Sequence, residues 1–416
     1  METKLGLREN WKQFTLLVII NGFVGGMVGL ERTILPQLAV QDFAIVAKSA
    51  ILSFIIVFGF TKAISNYFAG AFANRVGRRK LLIYGWIIAI PIPFILIYAT
   101  HWNWIIFANV LLGVSQGLTW SSTVVMKIDL VGEKNRGFAM GLNEFAGYLA
   151  VALVALLSGY LASNYGLRPY PFLVGIVLSV LGLLSSVFLV KDTRKFVAME
   201  SKTSKLQPLS NIFLDTTFFH PNLSSITQAG LINNLNDGMI WGLLPILLAS
   251  KGYNLSQIGL IVFVYPAVWG VGQLFTGRLA DLICKKKLLF WGMLLQGIAI
   301  VLLVYATTQA HYISISVVLG LGTAVVYPAF LAAIAHDTTP AQRAESIGIF
   351  RLWRDSGYAF GAILSGILAD TLGLNYAIGS IGILTLLSAM VIQFRMSCGT
   401  FTCSVENKWN LNYGSG

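Results

Sequence analysis

The chain has 416 residues, of which 56% are hydrophobic and only 11% charged, whereas a soluble domain carries roughly 25% charged residues. So little charge excludes an ordinary water-soluble globule and points to a surface that faces lipid. The net charge of +12 does not argue for nucleic acid, because the basic residues fall in short bursts between apolar runs and not on one face.

A membrane-spanning helix needs roughly 20 mostly apolar residues. Twelve windows qualify: 14–39, 47–73, 81–100, 104–126, 138–162, 170–190, 222–248, 255–277, 288–306, 312–334, 345–370 and 376–394. The expected fold is an all-α integral membrane protein with two six-helix bundles. The first run is longer than the apolar core of a signal peptide and has no small-residue cleavage site behind it, so it reads as the first membrane helix. One connection is long. Residues 191–221 carry Lys191, Arg194, Lys195, Lys202 and Lys205 and divide the chain into an N-terminal bundle (1–190), a cytoplasmic linker (191–221), a C-terminal bundle (222–395) and a cytoplasmic tail (396–416). Residues 212–219 fit an amphipathic segment on the membrane surface.

Basic residues set the orientation. With the N-terminus inside, Lys4, Arg8, Lys12, Arg75, Arg78, Arg79, Lys80, Lys127, Lys134, Arg136, the linker cluster, Arg278, Lys285, Lys286, Lys287, Arg343, Arg395 and Lys408 all lie on the cytoplasmic side. The other side holds little beyond Lys48, Arg168 and Lys251. The expectation is a multi-pass protein of the cell membrane with both termini cytoplasmic. The three cysteines, Cys284, Cys398 and Cys403, show no metal spacing and fall in segments placed in the reducing cytoplasm, so neither a disulfide nor a metal site is expected.

The second half repeats the first. Gly70 and Gly277 stand 207 positions apart, and the same offset pairs Ala73 with Ala280, Lys80 with Lys287, Gly113 with Gly320, Arg136 with Arg343, Gly141 with Gly348 and Gly159 with Gly366. A single gapless register over roughly a hundred positions is the mark of parallel repeats.

Two loops occupy equivalent places in that register. One runs from Gly70 through Asn74, Arg75, Gly77, Arg78 and Arg79 to Lys80. Its copy runs from Gly277 through Asp281 and Cys284 to Lys285, Lys286 and Lys287. They resemble the duplicated loop motif of the major facilitator superfamily, Gly-x-x-x-Asp-Arg-x-Gly-Arg-Arg/Lys. The resemblance implies twelve helices around a central cavity and a secondary transporter in which this loop latches the cytoplasmic gate. Asn74 replaces the usual acid and Cys284 the second glycine. The drug–proton antiporter branch carries an arginine in the fourth helix, where this chain has Asn109, and Gly-x-x-x-Gly-Pro in the fifth, where Leu142 follows Gly141. The chain is thus similar to a prokaryotic subgroup, distantly like drug or metabolite:proton antiporters.

Ionisable residues at membrane depth mark a pathway, a coupling site or an ion pair. They fall in the first helix (Glu31, Arg32), the second (Lys62), the fifth (Glu144), the seventh (Asp237) and the eleventh (Arg351, Arg354, Asp355). The cores of the third, sixth, ninth and twelfth carry none. The resemblance implies that those four are the outer, lipid-facing helices. Glu144 and Arg351 are related by the 207 offset, as a proton-sensitive pair or as a permanent inter-bundle salt bridge. Arg354 and Asp355, adjacent on a helix, point about 100° apart and are not expected to face each other. The proton-coupling candidates are Glu144, Asp237 and Asp355. The substrate-binding candidates are Arg351, Arg354, Lys62, Asn233, Asn236, Gln116 and Trp120. Glu31 and Arg32 are expected at an outer gate. Asp129 reads as a loop partner of Lys127 or Arg343, and Gly238 suggests a local break in the seventh helix.

The function that follows is secondary active transport of a small organic solute, anionic or zwitterionic, by alternating access coupled to a proton or sodium. A drug or cationic metabolite:proton antiporter is one alternative, and a non-transporting receptor or assembly partner another. Neither catalytic nor nucleotide-binding residues are recognisable, so no enzyme activity and no cofactor are expected. The expected partners are a small-molecule substrate, the coupling ion and the lipid bilayer, with the protein a monomer.

Overall fold

In hydrocarbon every backbone N–H and C=O must be satisfied within the chain, so an apolar sequence of this length has to become helices. A computed structural model describes residues 6–131, 136–193, 195–196, 209–338 and 340–398. Within these, side chains are described except at 70–75, 128, 136–139, 278, 281–282, 335, 340–341 and 343–345. Among the described residues there is no strand.

The N-terminal spans are α1 (Trp11–Arg32), α2 (Ser53–Val76), α3 (Arg78–Ala89), α4 (Trp102–Val131), α5 (Arg136–Tyr165) and α6 (Tyr170–Phe188). The C-terminal spans are α7 (Pro221–Ser250), α8 (Leu255–Leu282), α9 (Lys285–Leu303), α10 (Gln309–Asp337), α11 (Pro340–Thr371) and α12 (Leu374–Arg395). Two expected spans are interrupted. The first stops at Arg32 and resumes as a short helix, Leu35–Gln41, because Pro36 has no N–H to continue the ladder. The third is interrupted in the same way before Pro91. The seventh is not broken, since α7 runs unbroken through Gly238. That glycine serves packing: a Cβ there would lie 2.4 Å from the Tyr358 carbonyl oxygen of α11.

Nine helical stretches among the described residues are long and apolar enough to cross a membrane. Among the described residues α7 and α11 do not qualify, because they carry the Asn233–Asp237 cluster and Arg351, Arg354 and Asp355, whereas α2, with Lys62 and Asn66, is apolar over Ser53–Ala69. Their polar side chains are mostly buried and face protein, not lipid. By contrast α3, α6, α9 and α12 expose large apolar side chains such as Ile87, Phe188, Trp291 and Phe394.

The halves meet along two related seams, α2 against α11 and α5 against α8. Gly159 and Gly259 bring α5 and α8 close, a Cβ on the first lying 3.2 Å from the Cα of the second. At the end opposite the termini, Asp370 of α11 accepts hydrogen bonds from the Lys48 N–H (2.6 Å), the Ser49 N–H (3.0 Å) and the Ser49 hydroxyl (2.5 Å), closing that end across the halves.

At the terminal end, Ile212–Leu214 form a short helix continued by a π turn, Asp215–Phe219. Phe213, Leu214, Phe218 and Phe219 are exposed, whereas Thr217 accepts from Trp353 Nε1 at 3.2 Å. The expectation of free thiols is overturned here: Cys284 and Cys398 form a disulfide, Cα atoms 5.9 Å apart. The chain brings the loop before α9 against the residues just after α12, a proximity invisible in a spacing of 114 residues.

Candidate functional site

Helical periodicity assembles the centre of the molecule. On α11, Arg351, Arg354, Asp355 and Tyr358 share one face; on α2, Phe58, Lys62 and Asn66 do; on α5, Glu144 and Tyr148 do. Together with Trp120 of α4 and Tyr327 of α10, a small cavity between the halves is lined by Lys62, Asn66, Glu144, Tyr148, Arg351, Arg354 and Asp355. It has room for about one water in this conformation.

Asp355 is the hub. Its Oδ2 accepts from Asn66 Nδ2 of the other half at 2.5 Å. Its Oδ1 accepts from Arg354 Nη1 at 3.2 Å and from Asn234 Nδ2 at 3.3 Å. The expectation that Arg354 and Asp355 face apart is therefore corrected: the long guanidinium arm folds back to its neighbour. The same guanidinium lies over the Tyr327 ring, 4.5 Å from its centroid, and its Nε and Nη2 are buried without a hydrogen-bond partner.

Lys62 has no carboxylate within salt-bridge distance among the described residues. Its Nζ sits 5.2 to 5.5 Å from the ring centroids of Tyr358, Phe58 and Trp120. Arg32 is held the same way by Phe58, Trp241 and Tyr358, at 5.1 to 6.0 Å. It is 3% exposed and packs against rings of both halves. Glu31 is buried beside it, with Oε1 unpartnered.

Glu144 Oε1 accepts from Asn143 Nδ2 (2.7 Å) and Trp120 Nε1 (3.2 Å), while its Oε2 has no partner. Glu144 and Arg351 line the same cavity, but among the described residues they form no salt bridge; Arg351 donates to Ser121 Oγ at 3.2 Å. Asp237 accepts from the Tyr265 hydroxyl and its Oδ2 is unpartnered. An aromatic stack crosses the halves here, Tyr148 on Trp269 with centroids 3.5 Å apart.

Three candidates lie elsewhere. Asn236 bonds Gln296 (3.2 Å) and Thr385 (2.7 Å), a packing seam with α9 and α12. Gln116 donates to the Val24 carbonyl of α1 at 2.8 Å. Asn233 donates to Asn234 at 3.4 Å within α7. Of the gate motif, Arg78 pairs with Asp129 at 3.5 Å and Arg79 donates to the Val187 carbonyl. Asp129 thus meets Arg78 and Thr193, not Lys127, which turns inward. Gly277, Lys285 and Lys286 are placed at the end of α8 and the start of α9, and Gly77 joins α2 to α3. The side-chain positions 70, 74, 75 and 281, hence Gly70, Asn74, Arg75 and Asp281, lie outside the described residues. Asn66, Tyr148, Tyr327 and Tyr358 are site residues that the candidate list omits. Asn66 was legible as one turn from Lys62, whereas the tyrosines carry no signal that separates lining from packing.

Two bundles of spanning helices around a buried, charge-lined cavity define a membrane transporter of the alternating-access class. A sequence model of the Major Facilitator Superfamily matches residues 15–227 and 226–397, and the chain belongs to that family. Multidrug resistance protein MdtG of Salmonella arizonae is 24% identical over 376 residues, covering 88% of this chain and 90% of the relative. MdtG of Enterobacter lignolyticus is 24% identical over 397 residues, covering 92% and 91%. Among solved structures, the human organic anion transporter MFSD10 (TETRAN) superposes with a TM-score of 0.72 at 14% identity, covering 92% of this chain and 99% of that one. A peptide transporter POT in complex with alafosfalin superposes with a TM-score of 0.72 at 15% identity, covering 92% and 93%. These likenesses fit the fold and the transport function; the protein acts on a small-molecule substrate in a lipid bilayer.

Proposed function

We propose that the protein is a proton-coupled transporter of a small organic anion or zwitterion, monomeric, in the cell membrane with both termini cytoplasmic. Its domains are then the bundles 1–190 and 222–395, joined by the linker 191–221 and followed by the tail 396–416. The observation that carries the substrate class is Arg354: one guanidinium nitrogen holds Asp355 while Nε and Nη2 are buried with no partner. A planar guanidinium with free donors suits a carboxylate or phosphate, and Lys62, caged by rings, adds a second uncompensated charge nearby.

Coupling follows from competition for the same cations. An ionised Glu144 balances Arg351 and Arg354 and competes with a substrate anion. A proton on Glu144 leaves those cations to the substrate, so proton and anion travel together. Asp237 and Asp355 are the further acids able to carry charge in the cycle.

A second reading rests on the name of the MdtG relatives and on the rings of Trp120, Tyr148 and Tyr327 at the cavity, faces that attract lipophilic cations. A cation competes with the proton, so this reading requires exchange. Proteoliposomes separate the two. Labelled carboxylates, amino acids and tetraphenylphosphonium are offered with and without a pH gradient. Proton-driven accumulation of a carboxylate or amino acid supports the first reading. Proton-driven expulsion of tetraphenylphosphonium alone replaces it with the second.

A further inference from the structure

The 207-residue register extends into the cavity wall. It pairs Trp120 with Tyr327, Glu144 with Arg351 and Tyr148 with Asp355, and each of these lines the cavity. Lys62 and Asn66 of α2 line it too, and their counterparts are Trp269 and Gln273 of α8. Spaced four apart, Trp269 and Gln273 share one face of α8, and contacts on either flank fix where that face looks. Gly272 and Thr276 lie against Ala324 of α10, one turn from Tyr327, with Thr276 donating to the Ala324 carbonyl at 2.6 Å. Gly270 lies against α5, where its Cβ would be 3.0 Å from the Leu149 backbone nitrogen. Trp269 and Gln273 therefore point between α5 and α10, the helices that carry Tyr148 and Tyr327. The Trp269 ring stacks on Tyr148, centroids 3.5 Å apart. One turn on, the Gln273 backbone oxygen lies 2.9 Å from where a Cβ on Gly141 would stand, at the level of the α5 turn that holds Glu144.

Gln273 and Trp269 are at most 1% exposed, yet Gln273 Oε1 and Nε2 and Trp269 Nε1 have no hydrogen-bond partner. The repeat gives the reason. Asn66, the counterpart of Gln273, uses both ends of its amide within the protein: Nδ2 donates to Asp355 at 2.5 Å and Oδ1 accepts from Ser121 at 2.6 Å. At the positions equivalent to Asp355 and Ser121, Gln273 meets Tyr148 and Pro328. Proline has no side-chain hydrogen-bonding group, and the Tyr148 ring is engaged with Trp269. The second half thus keeps the amide without the groups that answer it. An unanswered buried amide costs stability that an apolar side chain of the same shape would not, and its presence calls for a role outside the fold.

We propose that Gln273 and Trp269 form a neutral hydrogen-bonding subsite of the substrate site, and that the substrate is a carboxylate that also carries a terminal carboxamide. The inference rests on the reading of Arg354 as the carboxylate site. Arg354 lies over the Tyr327 ring, on the α10 flank of the gap into which Gln273 points. A carboxamide presents a C=O and an N–H side by side, so it closes two hydrogen bonds against the Gln273 amide at once, and the Trp269 N–H adds a third to the same carbonyl oxygen. A second carboxylate answers only the donors, an ammonium only the Gln273 carbonyl, and a hydroxyl has both roles on a single atom.

Titration calorimetry on the purified, detergent-solubilised protein tests this with two matched pairs: succinamate against 4-methylpentanoate, and glutaramate against 5-methylhexanoate. In each pair an isopropyl group replaces the carboxamide. The carboxamide is expected to bind at least about ten-fold tighter than its partner in one pair or both, and Gln273→Met, which keeps the length and loses both polar ends, is expected to bring that ratio to about one. Without ligand, Gln273→Met is expected to melt no earlier than the wild type, because the amide it loses was held by nothing. Earlier melting of both Gln273→Met and Gln273→Leu shows that the amide is bonded within the protein and overturns the proposal. A preference that survives Gln273→Met overturns it as well, and so does the lack of any preference in the wild type. In those outcomes the carboxylate reading stands where Arg354→Gln abolishes binding. If no member of either pair binds the wild type, the carboxylate reading falls, and this inference with it.

Discussion

Arg354 Nη1 lies 3.2 Å from Asp355 Oδ1, one residue along the same helix, and Asp355 in turn holds Asn66 of the opposite half. One carboxylate therefore ties the orientation of a cavity guanidinium to the seam between α2 and α11. Any ligand that draws Arg354 away loosens Asp355, and with it the contact that joins the halves at mid-depth. Arg354→Lys retains the charge but loses the planar fork and its stacking on Tyr327. The expected result is at least a ten-fold rise in KM for whichever carboxylate the wild type accumulates, the loss of about 1.5 to 3 kcal/mol of charged hydrogen bonding. Arg354→Gln is expected to abolish uptake. Uptake kinetics in proteoliposomes check both, and a wild-type KM in Arg354→Lys removes Arg354 from the binding site.

The helices and their pairing into related halves were legible because hydrophobic run length and the 207-residue register are properties of the chain alone. Side-chain reach was not. The Arg354–Asp355 contact escapes an argument from Cα directions, since a guanidinium on a flexible stem can return to its neighbour. Asn236 looked like a cavity residue because a polar group at membrane depth needs a reason, and the reason turned out to be Gln296 and Thr385. Lys127, near the end of its span, was assigned to a loop because hydropathy does not report the direction of a side chain. The pairing of Cys284 with Cys398 depended on a fold that brings the start of α9 beside the end of α12.

Two glycines of the inter-half helices predict opposite responses to the same substitution. A Cβ on Gly59 of α2 would lie 2.7 Å from the Ala359 backbone nitrogen and 2.8 Å from Tyr358 Cβ, whereas on Gly348 of α11 it would meet nothing within 4 Å. Gly59→Ala is therefore expected to destabilise the protein by about 1 to 3 kcal/mol. Gly348→Ala, in a helix interior with open space, is expected to be neutral or to stabilise by up to about 1 kcal/mol. Thermal denaturation in detergent measures both, and equal shifts in the two variants contradict the close approach of α2 and α11.

The chain has three cysteines, two of which are joined. A polyethylene-glycol maleimide added to protein unfolded in SDS is expected to attach at a single position, Cys403, before reduction and at all three afterwards. Cys284→Ser is expected to free Cys398 and give two adducts without reduction. Three adducts on unreduced wild-type protein would show that Cys284 and Cys398 are not joined.

Asp370, exposed at the end of α11, predicts a pH dependence at the closure opposite the termini. Slight burial acts to raise its pKa, but the hydroxyl and N–H of Ser49 and the N–H of Lys48 outweigh it and hold the carboxyl below its usual value. A carboxyl whose folded-state pKa is depressed contributes stability above its unfolded value, about 3.9, and loses it as the pH falls through the folded one. The closure is then fully present at neutral pH and weakens only below about pH 4. Because Asp370 is exposed, its share of total stability is small, so the readout has to be local. Spin labels at Ala47 and Leu372, which flank the contact, are introduced into a Cys403→Ser background. Pulsed EPR is expected to give a short, narrow distance distribution at neutral pH that broadens to longer distances on acidification. Asp370→Asn removes the charge that draws the two N–H groups and is expected to show the broad distribution already at neutral pH. If Asp370→Asn instead retains the narrow distribution, the close packing of Gly366 against Ser49 holds this end shut without the carboxylate.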